Sequence, residues 1–132
     1  MLHVHIDGCI LICRGKTYEL EAIVSPEDYE WAIEQGNWFV THGARLEKRI
    51  GPMKTGYACR SIPSDPKRGL MWLHKEVLLR SVGEPPTPLH TIGDHRNGNR
   101  LDCRRGNLRW ATPKMNANNL FGFASRQLEL DI

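Results

Sequence analysis

Residues 89–102 are Leu89-His90-Thr91-Ile92-Gly93-Asp94-His95-Arg96-Asn97-Gly98-Asn99-Arg100-Leu101-Asp102. The segment continues as Cys103-Arg104-Arg105-Gly106-Asn107-Leu108-Arg109-Trp110-Ala111-Thr112 and ends at Asn116-Ala117-Asn118-Asn119. It combines an acid next to a histidine, asparagines at fixed distances and five arginines. Such a combination has little use in an apolar core. It suits the hydrolysis of a phosphodiester bond beside one divalent metal ion.

Positive charge is concentrated in the same segment. Residues 1–89 carry eleven basic and eleven acidic side chains, whereas residues 90–119 carry six basic and two acidic ones, a net charge of +4. The tail 120–132 has a net charge of −1, which gives +3 for the chain. A basic field around an acid, a histidine and asparagines indicates a polyanionic substrate such as a nucleic acid.

The composition is that of an ordinary globular protein, because 40% of the 132 residues are hydrophobic and 25% are charged. We expect one compact domain or two small lobes. No apolar run is long enough to span a membrane and no basic-then-apolar leader opens the sequence, so a cytoplasmic protein without membrane association is expected. The four cysteines are expected to be reduced thiols.

The N-terminal half is predicted to mix strands with one helix. An alternating pattern at 2–6 predicts a strand, and the apolar runs at 9–13 and 18–24 around a turn predict a hairpin. Ser25-Pro26-Glu27-Asp28 predicts a helix start, with Ser25 as the cap and Asp28 closing a capping box, and Gly36 predicts the end of the helix. Three short strands are predicted at 37–40, 43–50 and 57–61.

The C-terminal half is predicted to be simpler. Apolar residues at helical spacing predict an amphipathic helix at 70–82, and the proline-rich segment 85–88 predicts a stiff linker. Strands are predicted at 89–94 and 107–112 around a polar loop at 96–106, followed by a helix that opens at Pro113. This hairpin-loop-helix unit is too small to bury its own core, so we expect it to pack on the 70–82 helix and the N-terminal sheet.

The residue types in the segment indicate specific chemistry. An aspartate is a hard oxygen ligand that suits Mg²⁺ or Mn²⁺. A histidine such as His95 has a pKa near neutrality, so it can accept a proton from water at working pH. Asn107 lies twelve residues after His95 and Asn116 nine residues later. An amide oxygen can orient an imidazole or complete the oxygen shell of a metal without adding charge.

Taken together, Asp94-His95, Gly98-Asn99-Arg100-Leu101-Asp102, Asn107-Leu108-Arg109-Trp110-Ala111-Thr112, Asn116 and Asn119 resemble the HNH nuclease family. The similarity is to the branch of phage and group I intron homing endonucleases whose third motif position is asparagine. It covers residues 89–119 and extends more loosely to Ile23–Tyr29, Trp38 and Leu73-His74-Lys75. Gly93, Cys103 and Gly106 depart from the family, which commonly has an aliphatic residue, an asparagine and a serine there.

The resemblance implies an α+β fold with two parts: a small N-terminal sheet-plus-helix lobe over 1–84, and a C-terminal ββα-metal module over 85–132 with its core at 89–119. His95 would be the general base, and Asp94 and Asn116 would bind one Mg²⁺ or Mn²⁺ ion. Asn107 would steady the hairpin loop and the histidine. The implied activity is homing-type nicking of double-stranded DNA by a monomer without an obligate protein partner, leaving 5′-phosphate and 3′-hydroxyl ends.

Six basic residues of the segment are candidate contacts to DNA phosphates, and each contact would steepen the salt dependence of binding. They are Arg96, Arg100, Arg104, Arg105, Arg109 and Lys114, with Arg100 and Arg105 as first choices. His74 and Asn119 are second-tier candidates. For His74, packing against the hairpin is favoured over contact with the metal.

Three alternatives remain open at the level of sequence. The chain could be a non-catalytic DNA-binding protein with a decayed nuclease module. It could be a structural zinc module built from Cys9, Cys13 and histidines. Within nucleases, it could be a phage packaging or restriction enzyme with little sequence preference.

Overall fold

The computed structural model describes residues 8–15, 19–41, 56–62 and 69–119. Within these ranges the fold is α+β, as the sequence predicts. The strands are β1 (Cys9–Arg14), β2 (Glu19–Val24), β3 (Phe39–Val40), β4 (Ala58–Ser61), β5 (Leu70–Trp72), β6 (Ile92–His95), β7 (Asp102–Cys103) and β8 (Leu108–Ala111). The helices are α1 (Pro26–Glu34), α2 (Leu73–Ser81) and α3 (Pro113–Asn118), with a 3₁₀ turn at Arg105–Asn107.

Two sheets organise these elements. The larger has the strand order β5-β4-β3-β1-β2-β7, and β6 pairs with β8 in a separate antiparallel ribbon. The predicted hairpin is confirmed, because β1 and β2 are antiparallel. The short strand β7 lies in the segment predicted to be a polar loop, and it pairs in parallel with the end of β2. The two predicted lobes therefore share one sheet, while a domain boundary near residue 84 stays a prediction.

The core is also shared between the two halves. Helix α2 supplies the fully buried side chains of Leu73, Val77 and Leu78, and it contacts β4, β5, β6, β7 and β8. Leu101 and Leu108 of the C-terminal segment belong to the same cluster of buried residues as the N-terminal sheet. A ribbon of two strands cannot bury a core of its own. The C-terminal unit therefore packs on α2 and the larger sheet, as expected.

One predicted helix begins too early. The helical spacing indicated residues 70–82, but Leu70–Trp72 form β5, which pairs with Ser61, Arg60 and Cys59 of β4. The helix α2 begins only at Leu73. Pairing with the preceding strand β4 overrides the local periodicity, which is a common outcome for short apolar runs.

The start of α1 is at the predicted place, but its capping is different. Pro26 occupies the first turn, and Gly36 follows the helix with a φ of 101°, which glycine adopts without strain. The side chain of Ser25 makes no capping hydrogen bond. The predicted capping box is therefore wrong, because Ser25 and Asp28 bind a distant part of the chain instead.

Two strand predictions, at 2–6 and 43–50, lie outside the described residues. The strands predicted at 89–94 and 107–112 correspond to β6 and β8, and the last helix opens at Pro113 as predicted. No helix in the described ranges is both long and apolar enough to cross a membrane. The four cysteines are free thiols, and Cys13, Cys59 and Cys103 are buried.

Candidate active site

The ribbon of β6 and β8 carries the acid and the histidine at its end. Asp94 pairs with Arg109 and His95 pairs with Leu108 in the antiparallel register. Both side chains are buried, with 4% of Asp94 and 5% of His95 exposed. Neighbouring residues of a strand point to opposite faces. Asp94 and His95 nevertheless line one cavity, because His95 is the last residue of the strand.

The carboxylate of Asp94 is held by two donors. Arg109 Nε donates to Oδ2 at 2.8 Å, and Asn119 Nδ2 lies 3.2 Å from Oδ1 and 3.0 Å from Oδ2. The same amide nitrogen lies 3.1 Å from the backbone oxygen of His95. Asn119 is itself buried, so it ties the acid and the histidine backbone to the end of α3. A carboxylate offers about four lone-pair sites, so Asp94 keeps capacity for a further ligand.

Asp94, His95 and Asn116 line one small cavity. Its volume is about 60 Å³, and the other walls are Tyr57, Gly93, Gly98, Arg100 and Asn119. The carboxylate and the Asn116 amide supply hard oxygen donors, and the space suits an ion that keeps part of its water shell. This donor set is chemically compatible with a hard divalent cation. Within the described ranges no three His, Cys, Asp or Glu side chains are placed to hold a metal ion together, so an amide oxygen and water would have to complete the shell.

Two aromatic rings, those of His74 and Tyr57, lie beside the imidazole of His95. The His74 ring lies 4.8 Å from the His95 ring, and Tyr57 lies 5.0 Å from His74 and 5.7 Å from His95. Cys103 Sγ is 3.9 Å from His95 Nε2. Burial lowers the pKa of His95 to about 4, although the negative charge of Asp94 opposes the shift. The imidazole is therefore neutral at pH 7 and has a lone pair that can accept a proton.

His74 lies in the same environment, where its ring is packed rather than open to solvent. Its ring is 5% exposed and stacks on Tyr57 with an interplanar angle of 23°. Burial and the neighbouring His95 lower the pKa of His74 well below its ordinary value. Packing against the hairpin is thus the geometry that His74 adopts. Burial also raises the pKa of the Cys103 thiol, which keeps it protonated and unsuited to nucleophilic attack.

Asn107 braces the loop that follows His95. Its Oδ1 accepts the Asn97 amide at 3.0 Å, and its Nδ2 donates to the backbone oxygen of Asp102 at 2.8 Å. Its backbone oxygen accepts the Arg96 amide at 2.7 Å. These three bonds close the loop from both ends. The geometry suits a residue that orients the histidine through the backbone.

Three of the six candidate DNA contacts are paired within the protein. Arg104 binds Asp102 at 2.7 Å, Arg105 binds Asp28 at 2.7 Å, and Arg109 binds Asp94 at 2.8 Å. An arginine can still contact a phosphate with its remaining donors. The prediction of DNA contacts by these residues stays untested.

The other three candidates lie in different environments. The guanidinium of Arg100 lies 5.3 Å from the centre of the Tyr57 ring, and Arg100 lines the cavity. Arg96 is half-buried, and its Nε has no hydrogen-bond partner within the described part of the chain. Lys114 is exposed in the first turn of α3.

Sequence reasoning missed several residues around the site. Tyr57 lies in a predicted strand, and no local pattern distinguishes it from a core aromatic residue. Ser25, Asp28 and Arg80 were not recognised as neighbours of the loop. The serine and the aspartate gave a visible pattern, but that pattern indicated a helix cap. Their partner is Arg105, which lies 80 residues after Ser25 and 77 residues after Asp28, so no local motif can reveal it.

The zinc alternative gains no support from the thiols that the structure describes. Cys9 and Cys13 lie on the same strand, and Cys13 is fully buried with Sγ 3.7 Å from the Leu11 oxygen. Burial raises the pKa of Cys13 to about 11, whereas a zinc ligand must be a thiolate. His3 and His5 lie outside the described residues.

Comparisons with known proteins give one match. Residues 72–118 match a family model described as HNH endonuclease. The matched segment begins at the end of β5 and runs through α2, the β6–β8 ribbon and α3. No curated protein and no solved structure gives a significant match.

Proposed function

Because the segment 72–118 belongs to the HNH endonuclease family, we propose that this chain is a metal-dependent DNA endonuclease of the homing type that nicks double-stranded DNA. The proposal is carried by one observation: Asp94, His95 and Asn116 line the same cavity. Asp94 and Asn116 would hold one Mg²⁺ or Mn²⁺ ion through their side-chain oxygens. When bound, the ion supplies positive charge beside the scissile phosphate.

The residues of the chain have distinct roles in this proposal. His95 accepts a proton from the water that attacks phosphorus, and its neutral state at pH 7 supports that role. The bond from phosphorus to the 3′ oxygen breaks, and the 3′ oxygen takes a proton from solvent. The products are a 5′-phosphate and a 3′-hydroxyl end. Asn107 acts through the loop that it braces.

Other residues orient the Asp94 carboxylate and bind the DNA backbone. Arg109 and Asn119 fix the orientation of the Asp94 carboxylate, so little rearrangement is needed when a ligand arrives. The basic side chains of residues 96–114 hold the DNA backbone by charge, which is independent of sequence. We propose that one chain acts as a monomer, because the described residues hold one candidate site and one site cuts one strand. A cytoplasmic location is part of the same proposal.

A plasmid assay tests the activity. Wild-type protein should convert supercoiled plasmid to the nicked form with Mg²⁺ or Mn²⁺, and EDTA should stop the reaction. Replacing His95 by alanine should slow nicking by at least ~10²-fold. His90→Ala is the matched control, since His90 lies before β6 and contacts Thr87 rather than the cavity. DNA ligase should seal the nicks without kinase treatment, because a 5′-phosphate is present.

The assay also separates the alternatives. Wild-type protein that binds the plasmid but leaves it supercoiled with both metals would contradict the enzyme and support a DNA-binding protein with a decayed module. Sequencing the cut positions in a phage genome distinguishes a homing enzyme from a nuclease with little preference. Cleavage at many unrelated positions would contradict the homing-type activity.

A further inference from the structure

A buried carboxylate in the N-terminal half, that of Asp28, binds Arg105 of the C-terminal segment. Asp28 has no exposed surface, and Arg105 binds it with two hydrogen bonds, Nε to Oδ2 at 2.8 Å and the terminal nitrogen to Oδ1 at 2.7 Å. Arg80 of α2 adds a third bond to Oδ1 at 3.1 Å. Ser25 Oγ accepts the backbone amide of Arg105 at 2.9 Å. We call Ser25, Asp28, Arg80 and Arg105 the clasp.

The carboxylate in the clasp is charged. Burial alone would raise the pKa of Asp28, but the hydrogen bonds and positive charges of Arg105 and Arg80 outweigh burial and lower it. A buried carboxylate is tolerated only when it is paired in this way. Because the Ser25 hydroxyl binds the amide of Arg105, the clasp fixes the backbone as well as the side chain.

The backbone held by the clasp leads directly to Asn107. Arg105 opens the 3₁₀ turn that ends at Asn107. Asn107 in turn accepts the amides of Arg96 and Asn97, the two residues that follow His95. A displacement of the turn would therefore pass to the end of β6 through short hydrogen bonds.

We propose that Ser25 and Asp28 are positioning residues of the nuclease site: they hold the Arg105 turn so that Asn107 keeps His95 in place. This inference rests on the proposed function. It assigns Arg105 to the clasp in the first instance, rather than to a DNA phosphate. In this proposal Ser25 and Asp28, which the sequence indicates as a capping box, connect the N-terminal half to the catalytic histidine.

Ser25→Ala is the mildest test, because it removes one hydrogen bond and leaves the ion pairs. We expect the cleavage rate at saturating protein to fall ~10-fold, with the apparent Kd for DNA unchanged. The amide of Asn97 should exchange faster with solvent, while amides of the β1–β2 hairpin keep their protection. Ser25→Thr retains the hydroxyl and should restore both readouts. Glu30→Gln, an exposed change on the same helix, is the matched control.

Asp28→Asn and Arg105→Gln test the ion pair. Each is expected to slow cleavage ~10²-fold, and the double variant should be no slower than either single variant. The salt slope of DNA binding should stay unchanged in Arg105→Gln if the side chain serves the clasp. A slope that falls by about one unit would assign Arg105 to a phosphate instead. Near-ultraviolet circular dichroism selects conditions in which each variant is folded.

The cleavage rate and the exchange rate of the Asn97 amide together decide whether Ser25 is a positioning residue. A Ser25→Ala protein with the wild-type cleavage rate and the wild-type Asn97 exchange rate, whatever its melting temperature, overturns the positioning role. If the wild-type protein does not nick DNA, the proposed function fails, and the clasp is judged by amide exchange alone. Faster exchange at Asn97 then supports the clasp as a support of this loop, and unchanged exchange overturns it.

Discussion

The absence of a side chain at position 93 is predicted to be essential for the ring cluster around His95. A Cβ placed on Gly93 would lie 2.6 Å from His74 Cδ2, 3.1 Å from Nε2 and 3.4 Å from Leu78 Cδ1. Ordinary van der Waals contact begins at 3.4 Å, so the His74 ring would have to retreat. Tyr57 stacks on that ring at 5.0 Å and His95 lies 4.8 Å away, which leaves little room for movement.

We expect Gly93→Ala to lower the free energy of unfolding by ~1–3 kcal/mol, the usual cost of adding a methyl group to a tightly packed site. Urea denaturation of the metal-free protein measures this change. Gly106→Ala is the matched control for stability, because a Cβ at position 106 would meet nothing within 4 Å. The control is expected to stay within ~0.5 kcal/mol of wild type.

A double-mutant cycle with His74→Ala isolates the cause. In that background the clash disappears, so Gly93→Ala should cost less than ~0.5 kcal/mol. An equal loss in both backgrounds, or a Gly93→Ala protein as stable as wild type, would refute the steric argument. A positive result would assign a packing role to Gly93, which leaves room for His74 beside His95.

Three further predictions concern pH, metal and DNA. As the pH falls from 7 to 4, protonation of His95 should lower the unfolding free energy of the metal-free protein by ~3 kcal/mol. The reason is that His95 binds a proton below pH 6.5 in the unfolded chain but only near pH 4 in the folded protein. Buried His74 acts in the same direction, so a flat denaturation profile would contradict both assignments. Asn116→Ala should weaken Mn²⁺ binding ~10-fold or more in calorimetric titrations, whereas its exposed neighbour variant Asn118→Ala should not. Lys114→Ala should weaken DNA binding equally for all sequences and lower the salt slope by about one unit, and an unchanged slope would exclude a phosphate contact.

Ion pairs within the protein engage some of the basic residues that the sequence offers as DNA contacts. On sequence alone, six basic residues are candidates for DNA contacts, with Arg100 and Arg105 as first choices. In the structure, Arg105 and Arg109 neutralise the buried acids Asp28 and Asp94, and Arg104 covers Asp102. Part of the charge therefore stabilises the site itself. Variants of these arginines are expected to alter stability as well as DNA affinity, whereas variants of exposed Lys114 report on DNA alone.

The sequence by itself determined the chemistry and the local elements. The adjacency of Asp94 and His95 and the spacing to Asn107 and Asn116 are properties of the chain, and they carry the resemblance that the family-model match over residues 72–118 supports. The β1–β2 hairpin and the start of α1 at Pro26 were also predictable, because turn residues and proline act on neighbouring backbone angles. These features depend on interactions between residues close in sequence.

Only the tertiary structure decided which distant residues meet. Leu70–Trp72 form a strand because they pair with β4. The hydroxyl of Ser25 accepts the Arg105 amide instead of capping α1. Tyr57 and His74 were brought against His95 by the packing of separate elements. Partners separated by tens of residues are selected by burial and by the need to pair each buried charge. Those requirements act on the folded whole, so no local pattern encodes them.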